Sequence, residues 1–558
     1  MQQLIECVPN FSEGNNLEII TQITAEIESV EGVKLLNVDP GKATNRTVVT
    51  MVGEPKAVIE AAFRAIKKAA ELIDMRHHKG QHPRMGATDV CPLIPIANIT
   101  MEETVKFATQ LAKRVGEELS IPVYLYEEAQ PNKQRNNLSV IRAGEYENFA
   151  AKIIKPEWTP DFGAPIFNVS AGATVIGARD FLVAYNINLN TTSTRRANAV
   201  AFDIREAGRV KMENGQPVKD ANGNTVNIPG SLKAVKAIGW FIEEYGIAQI
   251  SINLTNISIT PVHIAFEEAC KKAGERGMRV TGSELVGLIP LKAMLDAGRY
   301  FLQKQQRSAG VSQKELIRIA IKSMGLNELS PFNPEERIIE YLLANTTNDR
   351  LIKMSLSDFA DETASESPAP GGGSIAAYIG SLGISLATMV ANLSSHKKGW
   401  DERWETFSDL AEKGQYLKDE LLKLVDEDTK AFNGIMTAMA MSKSNADEKK
   451  LRTEALQDAT KFAIEIPFKV MELSFASLEI INSIATIGNP NSISDAGVGA
   501  VCARSAVLGA FMNVRINASG FDDKRFIEDI IARGREIEKK AIALEAEILK
   551  LVNSKIDQ

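Results

Sequence analysis

The sequence contains few histidine, cysteine and aromatic residues. Its 558 residues include five histidines, four cysteines and 6% aromatic side chains. Cys7, Cys91, Cys270 and Cys502 lie far apart and form no CxxC pair, so we expect neither a disulfide framework nor a cysteine-rich zinc site. Reduced thiols in this pattern indicate a cytoplasmic protein.

An excess of positive charge is also absent. The formal net charge is −7, which argues against a nucleic-acid partner or an anionic membrane partner that covers the whole surface. The start, MQQLIECVPNFSEG, has no basic stretch followed by an apolar one, so we expect no secretory signal. A single stretch, residues 375–393, approaches the length of a membrane span. Because it is rich in Ala, Gly and Ser, we predict a buried helix and no membrane partner.

The order of predicted elements divides the chain into four segments. Residues 1–180 read strand, helix, strand, strand, helix, then a further strand, helix and strand, with a capping box expected at Thr100 and Glu103. Residues 181–326 repeat that order, so we predict two α/β subdomains with a ferredoxin-like, α+β element order. Residues 327–356 are a predicted linker. Residues 357–558, with a last helix over 525–552, are a predicted all-α helix bundle.

Three of the five histidines lie in HHKGQHPRMG, residues 77–86. A metal site needs converging ligands, and Gly80 and Pro83 break any helix that would align these imidazoles. A solvated polar loop and a catalytic loop remain open alternatives. Arg84 beside His82 favours catalysis, because an imidazole next to a guanidinium suits proton transfer on an anionic substrate.

Two glycine-containing stretches are candidate binding segments. In residues 160–179, PDFGAPIFNVSAGATVIGAR, glycines would let the backbone approach a flat ligand, although a β-hairpin with glycine corners fits equally well. In SPAPGGGSIAA, residues 367–377, a GxGxxA pattern follows a polar stretch rather than a strand, which argues against a dinucleotide site. This turn opens a helix, where free N–H groups can bind an anion. It also fits an ordinary helix start.

Asp428 interrupts the apolar face of a predicted helix. Leu417, Leu421, Leu424 and Ala431 share that face at helical spacing. A carboxylate on an apolar face must pair, accept hydrogen bonds or have a raised pKa, and a raised pKa makes it a usable general acid or base. An aspartate paired with a basic residue in the core is the structural alternative.

Many segments, in order, resemble one known family of bifunctional folate enzymes, the formimidoyltransferase-cyclodeaminases. ECVPNFSEG, HPRMGA, VYLYEEA, IRAGEYE, ELVGLIPLKA and FNPEERIIEYL resemble its transferase half. APGGGS, LVDEDTKAF and NVRIN resemble its cyclodeaminase half. The resemblance implies transfer of a formimidoyl group between N-formimidoyl-L-glutamate and tetrahydrofolate. It also implies cyclisation of 5-formimidoyltetrahydrofolate to 5,10-methenyltetrahydrofolate with release of ammonia.

The resemblance also implies roles for individual residues. His82 is expected to be the transferase acid/base and Asp428 the cyclodeaminase acid/base, with His77 and His78 as bystanders. The folate-contacting segment is expected at Gly163, Ala164, Pro165, Ile166, Phe167, Asn168, Val169, Ser170, Ala171 and Gly172. The co-substrate is expected to be polyglutamylated tetrahydrofolate without a metal, in a homo-oligomer.

Two further roles are hypotheses from chemistry alone. Arg84 could hold a glutamate or folate carboxylate by a two-point contact. The turn formed by Gly371, Gly372, Gly373 and Ser374 could hold an anion or the pterin. An enzyme of another class is the alternative: a metal-dependent amidohydrolase using His77, His78 and His82, with the helical block as an oligomerisation module.

Overall fold

The computed structural model describes residues 3–41, 45–80, 83–220, 223–344 and 351–557. These form two compact units: Met1–Ala293 with Met324–Leu343, and Met294–Ser323 with Ala344–Gln558. The first contains sheets covered by helices, and the second is helical within its described residues. The chain is therefore multidomain, with sheet-containing N-terminal domains and a largely helical C-terminal region, as predicted.

A mixed sheet organises residues 4–178. Its strands are β1 (Leu4–Cys7), β2 (Asn10–Phe11), β3 (Val33–Gly41), β4 (Arg46–Gly53), β5 (Thr88–Ala97), β6 (Val123–Glu127) and β7 (Thr174–Ala178). The antiparallel part of the sheet begins with β3, which pairs with β4. On its other side β4 pairs with both β1 and β2, and β1 and β2 in turn pair with β5. β7 then joins β5 to β6 in parallel.

The three longer helices of this region cover one face of the sheet, and two short helices pack on part of the other face. The longer helices are α1 (Leu17–Glu28), α2 (Pro55–Leu72) and α3 (Met101–Glu118), and the short α4 (Leu138–Arg142) and α5 (Phe149–Ile153) lie between β6 and β7 in the chain. Ile5 and Cys7 of β1 pack into the core with α1–α3, so the alternating Glu6 faces the other way. The predicted capping box of Thr100 and Glu103 is confirmed at the start of α3.

A second sheet repeats the element order. Its strands β8 (Val183–Leu189), β13 (Val235–Ile242), β14 (Ile247–Leu254) and β15 (Val280–Val286) lie in the order β13–β14–β8–β15 and are antiparallel. Its helices are α6 (Thr194–Ile204) and α7 (Val262–Glu275). Short strands β9 (Arg209–Val210), β10 (Met212–Glu213), β11 (Gln216–Pro217) and β12 (Asn227–Ile228) form ribbons between α6 and β13.

The region after the second sheet contains five α-helices before the long ones, in the part of the chain that the structure describes. Its helices are α8 (Leu291–Lys304), α9 (Gln313–Met324), α10 (Pro334–Arg337), α11 (Ile339–Ala344) and α12 (Leu356–Thr363). Residues 294–323 belong to the helical unit. The backbone N–H of buried Ala309 donates to Ser408 at 3.0 Å, a contact between distant parts of the chain that local periodicity does not reveal.

Long helices form the bundle of the second unit. They are α13 (Gly372–Ser395), α14 (Trp404–Ala440), α15 (Ala446–Ile487), α16 (Ile493–Ala518) and α17 (Lys524–Ile556), the last confirming the helix predicted over 525–552. Among the described residues, three helical segments are long and apolar enough to cross a membrane: Gly372–Ser395, Ala446–Ile487 and Pro490–Ala518. The expectation of a single such stretch was therefore wrong. Between 50% and 61% of their apolar windows is buried inside the protein.

Candidate functional sites

A cavity of about 720 Å³ opens on the face of the first sheet that α1–α3 leave uncovered, and β13 and β14 also line it. Its charged wall residues are Arg46, Arg142, Arg179, Lys236, Glu127, Glu128 and Asp180. A cavity of this size with several guanidinium groups can hold an elongated ligand that carries carboxylates.

A buried ion pair joins this cavity to the histidine segment. Asp89, at the start of β5, is completely buried and accepts a hydrogen bond from Arg142 Nη2 at 2.5 Å. It also accepts the backbone N–H of Met85 at 2.9 Å. Burial raises the pKa of Asp89, against the opposing charge of Arg142. The pair therefore fixes the backbone at Met85, near the end of the histidine segment, beside a cavity-lining arginine.

His78 has both ring nitrogens engaged by the protein. Its Nδ1 lies 3.1 Å from Arg84 Nε, which can only donate, so Nδ1 must be unprotonated. Nε2 lies 2.8 Å from the carbonyl oxygen of Asn45 and carries the proton that is donated there. His77 is exposed, with its Nε2 3.9 Å from Asp74. Among the described residues, no group of three His, Cys, Asp or Glu side chains is arranged to hold a metal.

Arg84 uses all its donors within the protein. Its Nη1 donates to Glu145 at 3.0 Å and Glu147 at 2.8 Å, and its Nη2 donates to Glu147 at 2.6 Å. The remaining donors reach Nδ1 and the carbonyl oxygen of His78 at 3.1 and 3.3 Å. A guanidinium has five N–H groups, so none is left for a substrate carboxylate. The geometry favours a role for Arg84 in holding the segment rather than the direct contact that we hypothesised.

His82 and Gln81 lie outside the described residues. The structure describes this segment up to Gly80 and again from Pro83. The predicted role of His82 therefore remains a prediction.

The predicted folate segment, residues 163–172, lies against the histidine segment. The backbone N–H of Met75 donates to Ser170 at 2.9 Å, and that of Ala87 donates to Ala171 at 2.8 Å. These contacts flank residues 77–86 on both sides. The structure thus brings together two stretches that the sequence had marked separately.

The side chains of the segment are partly free to meet a ligand. Ile166 is 70% exposed and Val169 is 50% exposed. Phe167 instead packs against the rings of Tyr146 and Phe149, with centroids 5.4 and 5.8 Å apart. An aromatic cluster therefore anchors a segment in which the side chains of Ile166 and Val169 face outward.

The hairpin alternative for this stretch is wrong. β7, which follows it, pairs in parallel with β5 and β6. Gly172 has φ +69°, and a Cβ there would lie 2.7 Å from the Cα of Gly86. Glycine at this position allows the backbone of segment 163–172 to approach the backbone at Gly86 closely.

A second candidate site lies in the bundle. A cavity of about 120 Å³ is lined by Pro368, Ala369, Gly371, Gly372, Gly373, Asp428, Thr429, Ala431, Phe432, Ile435, Ala463, Asn513 and Asn517. The glycine turn and Asp428, which lie more than fifty residues apart in the chain, therefore share one cavity. Its wall combines apolar surface with a carboxylate and two amides.

Asp428 belongs to α14, but its side chain lies at the start of α13 and accepts hydrogen bonds from the first turn of that helix. Its Oδ2 accepts the backbone N–H of Ser374 at 2.8 Å and the hydroxyl of Ser374 at 3.0 Å. Burial raises the pKa of Asp428, and the bonds from Ser374 oppose that rise. The partner found here is a serine, not the basic residue of the alternative explanation. A partly buried carboxyl of raised pKa that lines a cavity suits general acid/base work.

The glycine turn packs against the carboxyl group of Asp428 and also lines the cavity. A Cβ at Gly373 would lie 2.6 Å from the carboxyl carbon of Asp428, so only glycine leaves room for the carboxyl group. Ser374 is fully buried and contacts Asp428 rather than lining the cavity. The geometry therefore does not favour Ser374 as a direct ligand contact, while Gly371, Gly372 and Gly373 remain on the wall.

Sequence reasoning missed several residues that the structure places at these sites. Glu145 and Glu147, which hold Arg84, lie in IRAGEYE, and Asn513 and Asn517 lie in NVRIN. The two asparagines are four residues apart, so helical spacing alone could have placed them on one face. No comparable local signal connects the two glutamates to Arg84.

Comparisons with known proteins match both units. Family models match residues 4–179 (formiminotransferase domain, N-terminal subdomain), 184–344 (formiminotransferase domain) and 355–536 (formiminotransferase-cyclodeaminase). The chain is 43% identical to a formimidoyltransferase-cyclodeaminase of Gallus gallus over 99% of each chain. It is 40% identical to a glutamate formimidoyltransferase of Streptococcus pyogenes over 54% of this chain and 94% of that one. A methenyltetrahydrofolate cyclohydrolase of Methylorubrum extorquens is 33% identical over 36% of this chain and 98% of its own.

Proposed function

This chain belongs to the formimidoyltransferase-cyclodeaminase family, and we propose that its two sites perform successive steps on one folate. It is a bifunctional folate enzyme of histidine degradation. It transfers the formimidoyl group between N-formimidoyl-L-glutamate and tetrahydrofolate, and then cyclises 5-formimidoyltetrahydrofolate to 5,10-methenyltetrahydrofolate with loss of ammonia. The observation that carries the assignment of sites is that the carboxyl of Asp428, whose pKa is raised by burial, lines one cavity together with the glycine turn.

For transfer, we assign the proton movements to His82. Folate N5 attacks the amidine carbon of N-formimidoyl-glutamate and loses its proton, and the departing glutamate nitrogen gains one. One imidazole can accept the first proton and deliver the second. The contacts of Arg84 and His78 support this assignment because they fix the described residues on both sides of His82. The nearby cavity, lined by Arg46, Arg142 and Arg179, suits the carboxylates of folate and glutamate, and segment 163–172 would contact the folate.

For cyclisation, we assign the proton movements to Asp428. N10 attacks the formimidoyl carbon, and Asp428 carries the N10 proton to the former imine nitrogen, which becomes an amine. A second proton, from solvent, then lets the C–N bond break and ammonia leave. A carboxyl whose pKa is raised by burial can both accept and return a proton near neutral pH.

Several finer statements belong to the same proposal. The co-substrate is polyglutamylated tetrahydrofolate, the proton transfers need no metal, and the protein is a cytoplasmic homo-oligomer. The free thiols support the compartment, since the sulfurs of buried Cys7 and Cys91 lie 3.5 Å apart in a hydrogen bond between thiols. A ferredoxin-like order for both subdomains is supported by the strand orders β3–β4–β1–β5 and β13–β14–β8–β15.

The metal-dependent amidohydrolase receives less support. Both nitrogens of His78 are engaged by protein groups, so coordination would require breaking the bond to Arg84 or to Asn45. The metal hypothesis predicts loss of activity after dialysis against a chelator and recovery on adding a divalent metal.

Purified protein with tetrahydrofolate and N-formimidoyl-glutamate tests the assignment, with methenyl-folate absorbance and ammonia followed together. His82→Ala should make neither product from this pair. Asp428→Asn should transfer the group and accumulate 5-formimidoyltetrahydrofolate. Full cyclisation by Asp428→Asn, or full transfer by His82→Ala, would refute the corresponding assignment.

A further inference from the structure

We propose that Ser374 is a positioning residue for cyclisation: it occupies Oδ2 of Asp428, so that Oδ1 alone exchanges protons with the substrate. The inference rests on the proposed acid/base role of Asp428. It concerns a residue buried behind the carboxyl group rather than one on the cavity wall.

The two carboxyl oxygens have different surroundings. Oδ2 accepts two bonds from one residue, the backbone N–H of Ser374 at 2.8 Å and its hydroxyl at 3.0 Å. Oδ1 lies on the side of Gly373, a cavity-lining residue that has no side chain to obstruct it. A carboxylate oxygen that already accepts two bonds is a poorer proton acceptor than its partner. Proton exchange is therefore directed to Oδ1.

The hydroxyl of Ser374 has a second acceptor that becomes important when Asp428 is protonated. Its Oγ lies 2.9 Å from the carbonyl oxygen of Val425 but has only one hydrogen. With Asp428 ionised, the charge-assisted bond to Oδ2 is the stronger one. When Asp428 gains a proton, the hydrogen can turn to Val425. The hydroxyl of Ser374, which is fully buried, thus has an acceptor in both states of the catalytic cycle.

Ser374 is the main neighbouring residue that shifts the pKa of the Asp428 carboxyl. The elements facing the cavity contribute glycines from α13, Ala463 from α15, and Asn513 and Asn517 from α16, none of which is charged. α13 has Tyr378 as its ionisable residue. On α14 itself, Glu427 pairs with Lys430 at 2.5 Å, and Asp426 adjoins it. Apart from burial, the groups that shift the pKa of Asp428 are the hydroxyl and N–H of Ser374.

The test measures how cyclisation depends on pH in Ser374→Ala and Ser374→Cys, starting from purified 5-formimidoyltetrahydrofolate. Loss of the hydroxyl bond disfavours the ionised carboxyl, so the acid limb of kcat should move to higher pH. The rate at the optimum should fall roughly 10- to 100-fold, the usual effect of losing a hydrogen bond to a charged group. Ser374→Cys keeps the volume with a weaker donor, so its limb should move in the same direction even if Ser374→Ala folds poorly.

Ser381→Ala is the matched control. Ser381 is on the same helix and almost fully buried, but its hydroxyl donates to the carbonyl of Tyr378 at 2.7 Å. Its acid limb should coincide with that of the wild type. If the acid limb of kcat stays at the wild-type pH in both Ser374 variants while Asp428→Asn is inactive, this inference is overturned and the role of Asp428 stands. Cyclisation by Asp428→Asn would instead remove the proposed function on which the inference rests.

Discussion

Gly373→Ala should stop ring closure while leaving formimidoyl transfer unchanged. The added Cβ would overlap Oδ1 of Asp428, the atom nearest to it, and would lie 2.6 Å from the carboxyl carbon and 2.8 Å from Oδ2. Ordinary contacts begin near 3.4 Å, so the carboxyl group or the start of α13 must shift by close to one ångström. Because the Asp428 side chain is the more flexible of the two, we expect it to move away from Ser374 and from the substrate.

The size of the effect follows from that displacement. A misplacement of about 1 Å at a reacting group can reduce the rate on the order of 100-fold. Loss of helix propensity cannot account for the loss, since alanine is about 1 kcal/mol more favourable than glycine inside a helix. The assay follows methenyl-folate formation from purified 5-formimidoyltetrahydrofolate, with transfer measured separately from tetrahydrofolate and N-formimidoyl-glutamate.

Gly509→Ala is the matched control for this substitution. Gly509 lies in α16, and a Cβ there would meet the Cβ of Ala376 at 3.5 Å, an ordinary contact. It should cyclise at the wild-type rate. If Gly373→Ala also does so, with unchanged thermal stability, the carboxyl of Asp428 does not need the position described here and the reasoning fails.

Three further predictions test charge and burial. Asp428→Asn should become more stable relative to wild type as pH rises from 4 to 8, because the raised pKa makes ionisation of the buried carboxyl costly in the wild type. A difference in unfolding temperature between variant and wild type that is the same at both pH values would contradict this. Glu6, buried with a pKa raised to about 7 from 4.5, should lower the free energy of unfolding by roughly 3 kcal/mol between those pH values, and Glu6→Gln should abolish that loss in denaturant titrations. Arg84→Lys cannot keep the two-point bond to Glu147, so transfer should fall roughly 10- to 100-fold with cyclisation unchanged; wild-type transfer kinetics would show that the network is dispensable.

The sequence predicted those features that depend on local periodicity. Asp428 was identified because Leu421, Leu424 and Ala431 share its face of one helix, and all three are buried. The same periodicity located α17. These patterns succeed because the face of an element that meets the core is determined by residues two to four positions apart.

Local patterns could not identify the partners of the predicted site residues. Ser374 and Asp428 are 54 positions apart, and Arg84 lies 61 and 63 positions from Glu145 and Glu147. Contacts at such separation depend on how the elements pack. The hypothesis that Arg84 binds substrate was reasonable for an exposed guanidinium and loses its basis once five protein acceptors surround it.

Both candidate sites contain a glycine at which distant parts of the chain approach closely. Gly172 lets segment 163–172 approach the backbone at Gly86, and Gly373 lets α13 approach Asp428. In each case a side chain at the glycine would push apart two segments from distant parts of the chain, with little change inside either segment. Substitution of these glycines should therefore affect the geometry of proton transfer before it affects folding. The glycines in GAPIFNVSAG and APGGGS are thus better explained by close backbone and carboxyl packing than by flexibility.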